Sequence, residues 1–307
     1  MSLDVRPLPT ASSAVADAAL SADVPTTAPP RRVRRPLAVR LALYVLLALT
    51  LTVFVLPLVW LFTSAVKPEH DIYVYPLQWI PTALELANFS DAWTAAPFDR
   101  FFLNSLITTV SGTTLEVGLA VLSAYAFAFV RFRWKTPLFL LMLGSMMLPG
   151  HVTLLVNYIT VGNLGWLNTY LGIVLPGIGS AFAMFLIYQQ MRRVSDEVVD
   201  AAKLDGAGHL RRMWSVVIPM SRPMILTGTL IVMFAKWNDY VWPLIVTSTV
   251  DMRTLPIGLM FLRSQEGYTN WGAIMAGTVM VALPMLLIFF VAQRRIIGGL
   301  AAGATKG

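Results

Sequence analysis

Three ionisable residues, Glu116, Lys236 and Asp239, stand inside long apolar stretches of the chain, and its chemistry is expected to centre on them. Holding a charge at membrane depth costs about 2.5–3.5 kcal/mol on insertion scales, so such groups pair with one another or face a water-filled path. Opposite signs allow two pairings: Glu116 with Lys236 across two helices, or Lys236 with Asp239 one turn along the same helix. In a path, Lys236 would instead attract a phosphate group. Its neighbours Trp237, Asn238 and Tyr240 are amphipathic side chains of the kind that line polyol and sugar sites, while a tryptophan in an apolar helix also serves as packing. Catalysis finds less material. His70, His151 and His209 lie in separate segments, the chain has no cysteine, and no Ser/His, paired Asp or His/Glu set converges. Neither a catalytic residue nor a metal site is expected. His151, beside Pro149, reads as a solvated interfacial side chain, with a proton relay as the alternative.

Composition says what must position these groups. Of 307 residues, 57% are hydrophobic and only 13% charged, against about a quarter charged in a soluble domain; mean hydropathy is +0.68. A bilayer core about 30 Å thick takes roughly 20 apolar residues of helix. Six stretches qualify: 41–62, 102–130, 138–159, 171–191, 223–246 and 271–291. Glu116 falls in the second, Lys236 and Asp239 in the fifth. The third is interrupted by Pro149, Gly150 and His151, which reads as a kink in one span, because neighbouring helices can re-satisfy the carbonyl that proline frees. The expected fold is an all-α membrane protein with six transmembrane helices in one domain, 36–293.

Basic residues orient the spans, since short cytoplasmic loops are rich in Lys and Arg. With the N-terminus inside, 18 of the 23 basic residues are cytoplasmic, Lys67, Arg100, Arg253 and Arg263 are external, and Lys236 is in a span. Both termini are therefore expected inside (N-in/C-in), and the net charge of +7 reports orientation, with no nucleic-acid partner. Residues 1–35, rich in Ala, Ser, Thr and Pro without apolar periodicity, read as a disordered cytoplasmic tail; 294–307 read as a second cytoplasmic tail. The run 41–62 is too long for the apolar core of a cleaved leader and reads as an uncleaved signal anchor. In the external loop 67–100, Tyr73, Tyr75, Trp79 and Trp93 either anchor at headgroup level or meet an external partner.

A plain connection between two helices needs about 2–8 residues, yet the cytoplasmic loop 192–222 is much longer and carries its own helical pattern. Ser195 is placed to cap a helix that Asp196, Glu197 and Asp200 favour near its start. Val198, Ala201, Ala202 and Leu204 then form a compact face, and Gly206 and Gly208 allow a turn or a close backbone approach. Leu210, Met213, Trp214 and Val217 share one face of a second helix. Such a pair can lie in the membrane interface or plug into a cytoplasmic protein.

Asp200-Ala201-Ala202, three residues, Gly206, and an apolar stretch ending Ile218-Pro219 resemble the EAA motif of binding-protein-dependent ABC importer permeases. In that family a short coupling helix between the fourth and fifth spans docks into a cleft on an ATPase subunit. The resemblance covers almost the whole chain after residue 35. It implies the ABC type I importer permease fold and an ATPase-coupling role for Asp200, Ala201, Ala202, Asp205, Gly206 and Pro219. Asp200 stands where glutamate is usual, which keeps the charge and shortens the reach by one methylene. Trp237 to Leu244 looks like the fifth-span motif of the carbohydrate-uptake branch, and Gly299 to Gly307 like the tail of maltose-type permeases. Leu255-Pro256-Ile257-Gly258-Leu259, followed by Gly267 to Gly272, most resembles the glycerol-3-phosphate permeases.

The resemblance further implies a bacterial plasma-membrane importer with a second homologous permease, two ATPase subunits and an extracytoplasmic solute-binding protein, the chain itself being embedded in lipid. The chain has no Walker A pattern, so ATP and Mg are expected on the partner ATPase subunits and no cofactor on this one. The implied solute is glycerol-3-phosphate or a glycerophosphodiester, with a disaccharide or oligosaccharide of the maltose or trehalose type as the alternative. An ion-coupled secondary transporter would show more spans and an internal repeat, and neither is seen.

Overall fold

Lipid offers no hydrogen-bond partner, so an apolar run that crosses a bilayer must close its backbone bonds within a helix. The computed structural model describes residues 36–263 and 270–304, and among them every regular element is helical. The elements used below are α1 (Leu37–Ser64), α2 (Phe98–Phe129), α3 (Lys135–Ser145), α4 (Leu154–Asn163), α5 (Tyr170–Val174), α6 (Ala181–Met191), α7 (Asp196–Leu204), α8 (His209–Arg212), α9 (Ile218–Trp237), α10 (Val241–Val246) and α11 (Trp271–Ala304).

Among the described residues four helices are long and apolar enough to cross a membrane: α1, α2, the continuous run His209–Trp237 that joins α8 to α9, and Trp271–Gln293 within α11. A fifth crossing can be made from Tyr170–Gly177 and Ala181–Met191, two segments bent by 49° at the break between them. The expected third span is corrected. It is not one kinked helix: α3 stops at Ser145, a 3₁₀ turn covers Gly150–Thr153, and α4 resumes at Leu154. Pro149 has no N–H to continue the ladder and disfavours a helical Leu148, while Gly150 adds backbone freedom, so the run breaks where its hydropathy does not.

Residues up to Val55 and those from Leu56 onward form two units. In the first, α1 is apolar all round and its side chains from 37 to 55 are exposed, as befits a surface made for lipid. The second is organised around α2, which packs against α6 and α9. Ala124, Met184, Ile187, Met191, Met213 and Val217 form a buried cluster where these helices meet. A further cluster joins Phe98, Phe101, Trp237, Leu255 and Ala276. Two of the loop aromatics pack on the long helices: Trp79 meets Trp60 of α1 edge to face at 5.4 Å and Tyr73 meets Trp271 of α11 at 6.3 Å, while the Lys67 ammonium lies 4.2 Å over the Trp60 ring.

The inner face of α2 is polar, with Asn104, Ser105, Thr108, Thr109, Thr113 and Glu116 all buried. Asn104 acts as a clamp. Its amide donates to the carbonyls of Asp251 and Arg253 at 2.7 and 2.8 Å and accepts from the Tyr170 hydroxyl at 2.7 Å. Asn104→Leu keeps the volume but strands these three groups at about 1–3 kcal/mol each, so a loss on the order of 3 kcal/mol is expected. Thermal unfolding of the purified chain in detergent measures it, and an unchanged midpoint would refute the clamp. The tail expected over 1–35 lies outside the described residues, as does 264–269 with part of the Gly267–Gly272 motif. The tail expected over 294–307 is helical through Ala304.

Candidate functional site

Lys236 sits in the last turn of α9, where the helix C-terminus favours a cation. Its ammonium reaches back across the bundle to Glu116 Oε2 at 3.0 Å and donates to the Gly177 carbonyl at 2.6 Å. Three elements are thereby tied at one atom: α2 through the carboxylate, α9 through the lysine, and the bend between α5 and α6 through a backbone oxygen. The lysine stem runs past Gly112, one turn before Glu116. A Cβ at Gly177 would stand 2.7 Å from the lysine nitrogen, so a larger residue there would push the ammonium aside.

The same lysine borders a cavity of about 230 Å³. Its wall includes Asp239, Thr108 of α2, Thr254, Trp242 of α10, and Gly150, Thr153 and Asn157 from the broken third segment. Non-helical backbone is tolerated at membrane depth where it is buried in protein or lines a cavity, which accounts for the break at Pro149. The Thr254 hydroxyl is buried without a partner. Trp242 is fixed by its indole N–H, which faces the carbonyls of Gly172 and Ile173 at 3.1 and 3.2 Å.

Other residues expected here are elsewhere. Trp237 is buried against Phe102, its ring 5.8 Å away, and its indole donates to the Val281 carbonyl at 2.9 Å. The exposed Asn238 donates to the Phe234 carbonyl at 2.8 Å and so closes the end of α9. Tyr240 reaches Met260 Sδ at 2.7 Å. Glu116 lies behind Lys236 and not in the cavity wall. Sequence reasoning missed Thr108, Thr254 and Trp242. For Thr108 a signal existed: 104, 105, 108, 109, 112, 113 and 116 carry small or polar residues in the repeating pairs that mark one face of a helix.

The long loop between α6 and α9 is built on α7 and α8. Ser195 occupies the N-cap of α7, but its hydroxyl makes no capping bond. At the other end α7 closes in a Schellman turn: Gly206 N–H bonds to the Lys203 carbonyl and Ala207 N–H to the Ala202 carbonyl, both at 3.0 Å. This places Gly206 at φ +74°, the left-handed region where an L side chain is strained. Gly208 then caps α8, which passes through a π-helical turn, Met213–Val217, directly into α9 with Pro219 in its first turn. The loop is rooted by the Tyr125 hydroxyl of α2, which donates to the His209 carbonyl at 3.0 Å.

Its faces differ from the expectation. Val199, Met213 and Val217 are buried, whereas Leu204, Leu210 and Trp214 are exposed at 90%, 70% and 65%. Period alone grouped Leu210 and Trp214 with Met213 and Val217, but the first two are exposed and the last two buried. Asp200 is exposed and 2.5 Å from Lys203, a surface ion pair of small energetic weight. The arrangement presents a rigid knob with three large apolar side chains and an acidic shoulder.

Residues 116–297 match the family model described as binding-protein-dependent transport system inner membrane component. The sn-glycerol-3-phosphate transport system permease protein UgpE of Escherichia coli strain K12 is 31% identical over 264 residues, 84% of this chain and 94% of that protein. Its counterpart in Shigella flexneri serotype 5b, strain 8401, matches to the same extent. Among solved structures, a chain of a bacterial ABC transporter involved in the import of the acidic polysaccharide alginate superposes with a TM-score of 0.76. It is 21% identical and covers 87% of this chain and 99% of its own.

Proposed function

Since the chain belongs to the family of binding-protein-dependent transport system inner membrane components, we propose that it carries glycerol-3-phosphate or a closely related glycerophosphate across the membrane. It is a permease subunit of an ABC importer, a multi-pass inner membrane protein and a transport component rather than an enzyme, and it works with an ATPase and a solute-binding protein. The observation that carries the substrate reading is the 31% identity, over 84% of this chain, to proteins named as glycerol-3-phosphate permeases. Lys236 supports it as a cation in the wall of an intramembrane cavity.

In this reading the chain spans the membrane six times with both termini inside, α3 and α4 together making the third crossing. A second homologous permease supplies the opposite wall of the pathway. Two ATPase subunits hold ATP and Mg. The exposed Leu204, Leu210 and Trp214 enter a cleft on one of them, with Asp200, Ala201, Ala202, Asp205, Gly206 and Pro219 fixing the shape of the knob. Closure of the ATPases moves α8, and the continuous helix to Trp237 delivers that motion to Lys236 and Asp239.

One observation favours a neutral solute instead: Glu116 already neutralises Lys236, and Asp239, bonded by the Trp242 backbone N–H, adds to the wall a carboxylate that would repel a phosphate. The tagged chain is therefore to be purified with its partners and assayed for ligand-stimulated ATPase activity with glycerol-3-phosphate, glycerophosphocholine, maltose and trehalose. Stimulation by the two glycerophosphates alone is expected. Stimulation by the disaccharides alone would transfer the protein to the sugar importers, and a chain that purifies without an ATPase would overturn the assembly.

A further inference from the structure

Where α2 ends and α3 begins, the chain reads Val130-Arg131-Phe132-Arg133-Trp134-Lys135, and where α6 ends it reads Met191-Arg192-Arg193. α6 packs against both α2 and α3, which brings the two basic segments to one end of the bundle. Lys135 is their meeting point. Its half-buried ammonium donates to the Val130 carbonyl at 3.3 Å, and burial, then the charges of Arg192 and Arg131, hold its pKa below the ordinary lysine value.

No carboxylate is ion-paired with any of these cations among the described residues, although Asp196 and Glu197 follow closely in sequence. A part-buried Lys135 with the exposed Arg131 and Arg192 beside it favours a counter-anion. The surroundings say which kind. Arg133 lies 6.0 Å from the ring of Trp134, an exposed indole of the type that settles at headgroup level, and the next turn of α3 exposes Leu138, Leu140 and Leu141 as a lipid-facing surface. The cations therefore stand one turn from acyl chains, the depth of a lipid phosphate.

We propose that Arg131, Lys135 and Arg192 form a binding site for the phosphate of an anionic phospholipid headgroup. Basic notches between membrane helices are known to hold such headgroups, with a contribution per cation equivalent to about a fivefold change in affinity. The site is independent of the importer reading, since it rests on the chain alone.

The test is lipid retention by the purified full-length chain, measured by native mass spectrometry after addition of dioleoylphosphatidylglycerol, dioleoylphosphatidylcholine or inorganic phosphate. The parent chain is expected to retain phosphatidylglycerol in preference to phosphatidylcholine. Removing all three charges (Arg131→Gln, Lys135→Gln, Arg192→Gln) is expected to weaken retention by about a hundredfold. Arg222→Gln, which removes an exposed cation elsewhere, should leave it unchanged. Arg131→Lys with Arg192→Lys preserves the charges and should preserve binding, which separates lost affinity from lost folding. Equal retention of the two lipids, full retention by the triple variant, or displacement of the lipid by millimolar inorganic phosphate would each overturn the proposal. So would a triple variant that keeps its lipid but no longer binds the ATPase, because the cations would then serve a protein partner.

Discussion

Replacing Gly206 by valine is expected to leave membrane insertion intact and to cut ATP-driven import about tenfold, because a β-branched residue forced into the left-handed region costs at least about 1–2 kcal/mol. The turn closes α7 onto α8 through the bonds from Gly206 to Lys203 and from Ala207 to Ala202, and φ at Gly206 is +74°. Valine makes the chain choose between strain and an opened turn. Opening it moves Leu204 relative to Leu210 and Trp214, and the exposed knob loses its shape. No neighbouring atom stands within 4 Å of a Cβ built at Gly206, so crowding is not the cause and the backbone angle is. Asparagine tolerates that angle, and Gly206→Asn should keep most of the import. Import into cells, normalised to the chain in the membrane by immunoblot, decides the matter; an undiminished rate in Gly206→Val would remove the coupling role of the turn.

The second large effect concerns the buried pair. Lys236→Met leaves the Glu116 carboxylate buried without its partner, which typically costs 3–5 kcal/mol, and assembly is expected to fail. Glu116→Leu combined with Lys236→Met removes both charges at similar volume, a change that is often neutral for folding. The double variant should therefore assemble again, yet import of glycerol-3-phosphate should stay lost, because the cavity wall has no cation left for the phosphate. Yield of the intact complex and uptake rate are read on the same preparation. A double variant that assembles and transports at the parent rate would show that the pair only holds helices together.

Much of this was legible from residue types. Scarcity made the pair visible: three charges in the apolar runs allowed only Glu116 with Lys236 or Lys236 with Asp239, and the structure makes the first. The third partner, the Gly177 carbonyl, was not legible, because every residue has a carbonyl and only the bend between α5 and α6 aims this one at the lysine. Hydropathy located α1, α2 and α11 because each is a single unbroken helix, and most of α9, although the expected run 223–246 breaks after Trp237 and resumes at Val241. It failed at 138–159, since a hydropathy sum does not register that Pro149 lacks an N–H. At the loop, the acids of α7 and the glycine at its end read correctly. Leu210 and Trp214 did not, because an exposed apolar residue and one facing the core can share the same period.

The π turn at Met213–Val217 also limits how the chain can vary in length. A π turn holds one residue more than the α turn it replaces, and each residue of α-helix advances the rotation by about 100°. Losing one residue between 213 and 217 would let the helix run as plain α from His209 to Trp237 and keep the knob in phase with the span, whereas losing one residue from the plain α stretch after Val217 would swing the knob about a quarter of a circle around it. The phase between the cytoplasmic surface and the lysine near the far end of the helix is thus set by residue count, whatever side chains fill the places between.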